Sequence, residues 1–548
     1  MRVTYRALSH CLWLWMAFAS LSVSAMKLET NSGSNPVTQA WVAAHLPEGA
    51  ELQYPDLVEA IYTHTRLHPI WEDERVRLSL EQQINVIALA DISPWFEDRA
   101  KLLSQLQQAQ RWRHFDVMAT DTLLTFLRYR QDVALQGKGW LFGAGVQQIK
   151  LPPNAIEIES MMEAWKGNYF LSWIEGKKPF GDAYAQMLDG ILTLQALEAR
   201  DLPVFEYSGV LRPGDMIPNP EPLIVLLETM GDLSPELATL LRGQPGGIEY
   251  NPILVEAVKR FQGRHGLAQD GAVGPKTRIW LNKPASEKVR LMALNMERLR
   301  LWSPQRNNQL VVNIPGYSLT WWSNDEVQFE SRVIVGRPSR RTPLLSSHLN
   351  TVVFNPSWNV PESITQKDII PKIKRDTNYL ANNNMEILAS WRSSEVIAVE
   401  SIDWETMNPE RFPYRLRQSP GNHNALGRYK FNMPSTDAIY LHDTPAKGLF
   451  HRSERALSSG CIRVEQSHNL ATILMDRAGV RPDKVADYRK SVETKFVSVR
   501  RTVPVETIYQ TAWVDDETGT LQFRPDIYKY DQRQRWPFDQ EVLAALGI

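Results

Sequence analysis

The hydrophobic period of the chain changes at Ser303-Pro304, and the change rules out a fold built from one type of element. Upstream, apolar residues recur at helical spacing. Leu80, Gln83, Val86, Ile87 and Leu89 mark one amphipathic helix; Leu102, Leu103, Leu106 and the stretch from Thr120 to Val133 mark others. Downstream, Leu310 to Ile314, Tyr317 to Trp321, Ser331 to Val335 and Asn350 to Phe354 are short β-type runs separated by turn residues. Helices first and strands later read as a multidomain α+β protein. At 548 residues, 43% apolar and 22% charged, the chain has the size and composition for several domains with cores of their own.

The N-terminus predicts export. Arg2 and Arg6 precede an apolar stretch from Cys11 to Val23, and Ser22-Val23-Ser24-Ala25 supplies a small-x-small cleavage pattern. That apolar run, about thirteen residues, is shorter than the roughly 18–20 needed to span a bilayer. Residues 1–25 are therefore expected to be a removed signal peptide, with no membrane span in the mature chain. The expected organisation continues with a helical scaffold at 26–206, a small helical module at 207–283, a connecting helix at 284–305, a mainly β domain at 306–500 and a β extension at 501–548. A polar, helix-like insertion is expected at about 362–404. The formal net charge of −1 offers no general attraction for nucleic acid.

Once the leader is gone, Cys461 is the chain's one cysteine. A solitary thiol makes no intramolecular disulfide, so packing holds this exported fold together, and nucleophilic catalysis becomes the leading account of the thiol. His442 ends an apolar strand, Ile439-Tyr440-Leu441-His442, where a side chain is held rigidly. Gly460 precedes the thiol and lets backbone N–H groups approach a reacting carbonyl. A Gly-Cys loop beside a strand that carries His suits acyl transfer, with imidazole as the partner of the thiol. A buried, inert cysteine is the alternative. Asp443 follows His442 directly, so strand alternation turns it away and leaves a backbone carbonyl to orient the imidazole. His451 falls in a polar loop, and His468 is expected at the surface near a helix start. His265, at the end of the helix from Asn251 to His265, has no second ligand at metal spacing and reads as a helix-end residue.

Two resemblances sharpen these expectations. Ala257-Val258-Lys259-Arg260-Phe261-Gln262, His265-Gly266-Leu267, Asp270-Gly271 and Val273-Gly274-Pro275 resemble the three-helix peptidoglycan-binding module. His442, Gly448 and Ser459-Gly460-Cys461-Ile462-Arg463, with Asn355-Pro356-Ser357-Trp358-Asn359-Val360-Pro361 upstream, resemble the YkuD-type L,D-transpeptidase domain. Gly421, Asn424-Ala425-Leu426-Gly427 and Phe431 match the same family.

The whole mature chain resembles the large Gram-negative periplasmic form. The resemblance implies Cys461 as nucleophile, His442 as its base, and an oxyanion hole of backbone N–H groups from Cys461, Tyr440 and Gly460. It places Arg463, Trp358, Ser459 and Asn355 among substrate-binding residues. Arg463 either holds a donor carboxylate or pairs with an acid; Trp358 either walls the donor groove or packs. Ser459 departs from the family, whose commonest pattern has histidine there.

The implied reaction is 3→3 cross-linking of peptidoglycan through a cysteine thioester, in the service of cell-wall biogenesis and cell shape. It needs no metal or cofactor, and carbapenems are expected to acylate the same sulfur. Partners are stem peptides and glycan, with cell-wall synthases also admitted. The same site read differently gives an L,D-carboxypeptidase or endopeptidase, or a lipoprotein-anchoring enzyme. A non-enzymatic wall-binding scaffold is the third reading.

Overall fold

A computed structural model describes residues 35–143, 152–179, 181–243, 247–302 and 307–537. The expected leader at 1–25 lies outside them. The chain divides into two compact units. One gathers the described residues of Met1–Gln82, Arg99–Asp132 and Ile149–Lys177; the other gathers those of Gln83–Asp98, Val133–Gln148 and Lys178–Ile548. The region expected to be a single helical scaffold is thus divided between the two. Among the described residues no helix is long and apolar enough to cross a membrane.

The first unit is helical, and buried carboxylates satisfy the backbone where its turns enter the interior. Asp116 accepts hydrogen bonds from the Ile70 and Trp71 N–H groups, each at 3.1 Å. Asp121 accepts from the Gln53 and Tyr54 N–H groups at 2.8 and 2.9 Å. Unpaired, these N–H groups would each forfeit a hydrogen bond in a dry environment.

In the second unit, the helices of the small module start and stop where sequence chemistry directs. Asn251 caps Pro252–Arg264 by accepting from the Leu254 N–H at 3.2 Å, and proline opens both that helix and Pro275–Leu281. Leu254, Val258 and Phe261 are buried on one face. His265 does end the helix, but inside the core. Its Nδ1 lies 2.7 Å from the Phe261 carbonyl, and its ring stacks on Phe261 and Phe523. Burial holds its pKa well below the usual imidazole value. The connecting helix Ala285–Arg298 follows and ends in a 3-10 turn at Leu299–Leu301.

One nine-stranded sheet carries the candidate site. Its strands are β1 (Gln309–Asn313), β2 (Ser318–Ser323), β3 (Glu326–Gly336), β4 (Ser346–Phe354), β5 (Tyr429–Asn432), β6 (Leu441–His442), β7 (Ala456–Ser458), β8 (Ile462–Val464) and β9 (Lys495–Ile508). They lie in the order β7-β3-β8-β6-β5-β4-β9-β1-β2, and β2 pairs back onto β3 to close a circuit. Closure leaves few backbone groups unpaired at an edge. β2 alternates, with Leu319 and Trp321 buried, as a strand with one covered face does. In β3, Val333, Ile334 and Val335 are all buried, so that end is covered on both faces. β9 runs straight through the boundary expected at 500, because its two halves pair with the same strand, β4. The C-terminal segment then adds the hairpin Ala512–Val514 and Leu521–Phe523. It also returns Asp531 to the connecting helix, where it accepts from buried Arg298 at 2.6 Å.

The insertion between β4 and β5 is larger than expected, and beside the expected short helices it holds a sheet. It contains a four-stranded antiparallel sheet, ordered Trp358–Asn359, Arg415–Gln418, Met385–Leu388 and Val396–Ile397. Short helices lie beside it, and Ile370, Ile373, Leu380, Ile387, Trp404 and Leu416 belong to a separate apolar core. The strands are two to four residues long, too short to register as an alternating pattern.

Candidate active site

Three short strands bring the reactive groups together. β6 pairs in parallel with β8, which sets His442 opposite Arg463, and antiparallel with β5, which sets Lys430 opposite His442. Directly paired residues project from the same face of a pleated sheet. Lys430, His442 and Arg463 therefore form a row on one face. Tyr440 and Cys461 come two positions earlier on their strands, and the Ile462 N–H donates to the Tyr440 carbonyl at 3.1 Å to align them.

Tyr440 attends the sulfur twice. Its backbone N–H and its phenol both favour the Cys461 thiolate against burial, and Trp358 favours the ionised phenol in the same way. Of the two alternatives expected of the indole, packing is the one seen, against the insertion core, and the ring also acts on the Tyr440 phenol. The Tyr440 and His442 rings meet edge to face, with centroids 5.7 Å apart.

The imidazole has a fixed tautomer. Its Nδ1 lies 2.5 Å from the Asp443 carbonyl, which can only accept, so Nδ1 carries the proton and Nε2 keeps a lone pair. The orienting group is a backbone carbonyl, as strand alternation requires. The Asp443 carboxylate turns elsewhere, accepting from the Arg428 N–H at 2.8 Å, Ser467 Oγ at 2.8 Å and Lys447 Nζ at 2.5 Å. Burial, then the nearby Arg463 guanidinium, pull the His442 pKa down to about 3, against the raising effect of Asp443. Burial pushes the Cys461 thiol up, opposed by Tyr440 and by the charges of Lys430 and Arg463. At rest the pair is a neutral thiol and a neutral imidazole, suited to proton transfer during attack rather than to a preformed ion pair.

The loop that carries Cys461 is pinned from behind. The Ser458 hydroxyl donates to the Cys461 carbonyl at 2.6 Å and accepts from the Gly460 N–H at 3.1 Å. That bond occupies the Gly460 N–H, which removes it from the expected oxyanion hole. Thr342 Oγ1 donates to the Gly460 carbonyl at 2.7 Å, and the Thr342 N–H donates to the Tyr528 hydroxyl at 3.0 Å. Gly460 has φ +117°, a conformation that side-chain-bearing residues avoid.

Other expected residues lie differently. Asn355, expected at the substrate, is buried with φ +45°, and its amide donates to the carbonyls of Ser491 and Tyr488, so it ties down the chain after the last helix. Ser459 Oγ accepts from Arg340 at 3.0 Å, and Arg340 also pairs with Asp368 of the insertion. His468 is half-buried rather than a surface residue, bonded to the Tyr429 hydroxyl at 2.9 Å. His451 is exposed in the 3-10 turn Lys447–His451. Sequence reasoning missed Lys430. The signal it left is a lone cation between two buried rings, Tyr429 and Phe431, at the alternate positions of an apolar strand.

Comparison with known proteins identifies the family. Residues 307–485 match the family model for the L,D-transpeptidase catalytic domain, YkuD, and residues 243–281 match one described as "Putative peptidoglycan binding domain". A protein of Haemophilus influenzae described as "Putative L,D-transpeptidase" is 32% identical over 483 residues, 88% of this chain and 80% of the relative. An alignment of that extent covers the helical region as well as the sheet, and with it the chain belongs to the YkuD-type L,D-transpeptidase family.

Proposed function

We propose that the protein forms 3→3 cross-links between diaminopimelate residues of peptidoglycan through a thioester on Cys461. The supporting observation is the surroundings of the sulfur: one thiol beside Tyr440 and, in the adjoining row, an imidazole whose Nδ1 is held by a backbone carbonyl so that Nε2 keeps its lone pair. His442 takes the thiol proton as sulfur attacks the carbonyl of the third stem residue of a tetrapeptide donor. The oxyanion that develops meets the backbone N–H of Cys461 and that of Tyr440, which faces the sulfur at rest and turns to the oxygen as the C–S bond forms. The C–N bond to the terminal D-alanine breaks, and the imidazolium returns its proton to that leaving amine. The side-chain amine of a second diaminopimelate then attacks the thioester and gives a proton to His442. The C–S bond breaks, and the sulfur recovers that proton. The thioester retains the energy of the cleaved amide, so no nucleotide is consumed.

In this reading the small module at 207–283 holds the enzyme on the wall, and residues 1–25 export it to the periplasm, where cell-wall synthases are its neighbours. Carbapenems open on the same sulfur. We expect Cys461→Ala to abolish 3→3 muropeptides while leaving the circular-dichroism spectrum unchanged; retained 3→3 product refutes the assignment. Digesting tetrapeptide muropeptides with the purified enzyme distinguishes acceptors, since tripeptides without dimers would mean that water is preferred.

A further inference from the structure

Two cations stand on the active-site face without an acid to balance them. Among the described residues no carboxylate lies within ion-pair distance of Lys430 or Arg463, and Arg463 Nε is buried with no hydrogen-bond partner. The Lys430 ammonium rests over the Tyr440 ring, 4.2 Å from its centroid, a weak substitute for a counter-ion. Both residues pair directly with His442 across neighbouring strands. Half-buried like charges on one face repel each other and lose hydration, so the arrangement is favourable only when an anion arrives. The thiol does not serve as that anion at rest, because burial keeps it protonated.

We propose that Lys430 and Arg463 together clamp the terminal carboxylate of the donor peptide, and that Lys430 makes the enzyme select donors whose scissile bond is the last one in the chain. This deepens the transpeptidase reading and rests on it. In a C-terminal residue the carboxylate carbon lies three bonds beyond the scissile carbonyl carbon, within about 4 Å by covalent geometry. A group that binds this carboxylate must sit beside the attacking sulfur, and the charges of both residues are felt there. Donors extended by a further residue, or ending in an amide, place no charge at that point and leave the cations unpaired.

The test compares a tetrapeptide donor with its C-terminal carboxamide in the full-length enzyme. Thioester formation at Cys461 is followed by mass spectrometry. A charged hydrogen bond is worth about tenfold to a hundredfold in such comparisons, so the wild type should prefer the free acid by about that factor. Lys430→Met should reduce the preference about tenfold, chiefly through weaker half-saturation by the acid, and Lys430→Arg should keep most of it. Loss of a positive charge near sulfur slows both donors alike and cancels in the ratio. Circular dichroism and alkylation of Cys461 verify that each variant is folded, with Lys430→Gln as a second neutral variant. A ratio unchanged in both neutral variants overturns the clamp alone. A wild type acylated by neither donor overturns the transpeptidase reading and the clamp with it.

Discussion

His442 sits between two positive charges, and this decides how its thiol partner reacts. An imidazolium there would be buried beside Arg463 and Lys430, so the resting base is neutral. The thiol, raised by burial, is also neutral. We therefore expect alkylation of Cys461 by iodoacetamide to rise continuously from neutral into alkaline pH. A preformed thiolate–imidazolium pair would instead show a reactive plateau beginning well below neutral pH, and observing that plateau would contradict the neutral dyad. At this scale the sequence exposed Cys461 and His442 through residue type and neighbouring motif. It hid Lys430, because its place beside His442 comes from cross-strand pairing with a strand of only two residues. It also misdirected Asn355, whose polar side chain and motif position suggested substrate when its amide bonds to carbonyls around Ser491.

Short elements at the site depend on close approach. Gly427 has φ +62°, and a Cβ there would come within 2.4 Å of Asp443 Oδ2. That carboxylate anchors the segment whose carbonyl orients His442. Gly427→Ala should lose about 1–3 kcal/mol from backbone strain alone, visible as a lower melting temperature. It should also slow acylation at a temperature where the variant is still folded; unchanged acylation would show that the Asp443 anchor has no bearing on the base. The Asn424-Ala425-Leu426-Gly427 motif is thus explained by the room it leaves for a side chain distant in sequence. Helices were legible where proline and asparagine mark their starts, as at Asn251. The insertion was not, because its sheet assembles from segments far apart in the chain, Trp358–Asn359 against Arg415–Gln418.

For the molecule as a whole, acid is the expected weakness. His442 ionises near 6.5 when unfolded and near 3 when folded, so below 6.5 the unfolded chain binds a proton that the fold refuses. Its contribution is intact above 6.5 and is lost progressively as pH falls toward 3. His265, buried among aromatic rings, acts in the same direction. Urea unfolding of the unit that contains both should therefore give falling stability from pH 7 to pH 4, with a shallower fall in His442→Gln; identical slopes would show that this imidazole is not protected from protons. The broad order of helical region, small module and β domain was readable from periodicity. The division into two units was not, since the described residues of Gln83–Asp98 and Val133–Gln148 group with chain that comes much later.

Tyr528 is made after the Ser-Gly-Cys loop, yet its hydroxyl accepts from Thr342, the residue tethered to Gly460 beside the thiol, and donates to the Gly336 carbonyl at 2.6 Å. A nascent or clipped copy that stops short of this tyrosine already carries the whole Ser-Gly-Cys motif without its rear support. The sulfur thus acquires its finished setting only after synthesis has passed it and the segment around Tyr528 has folded back.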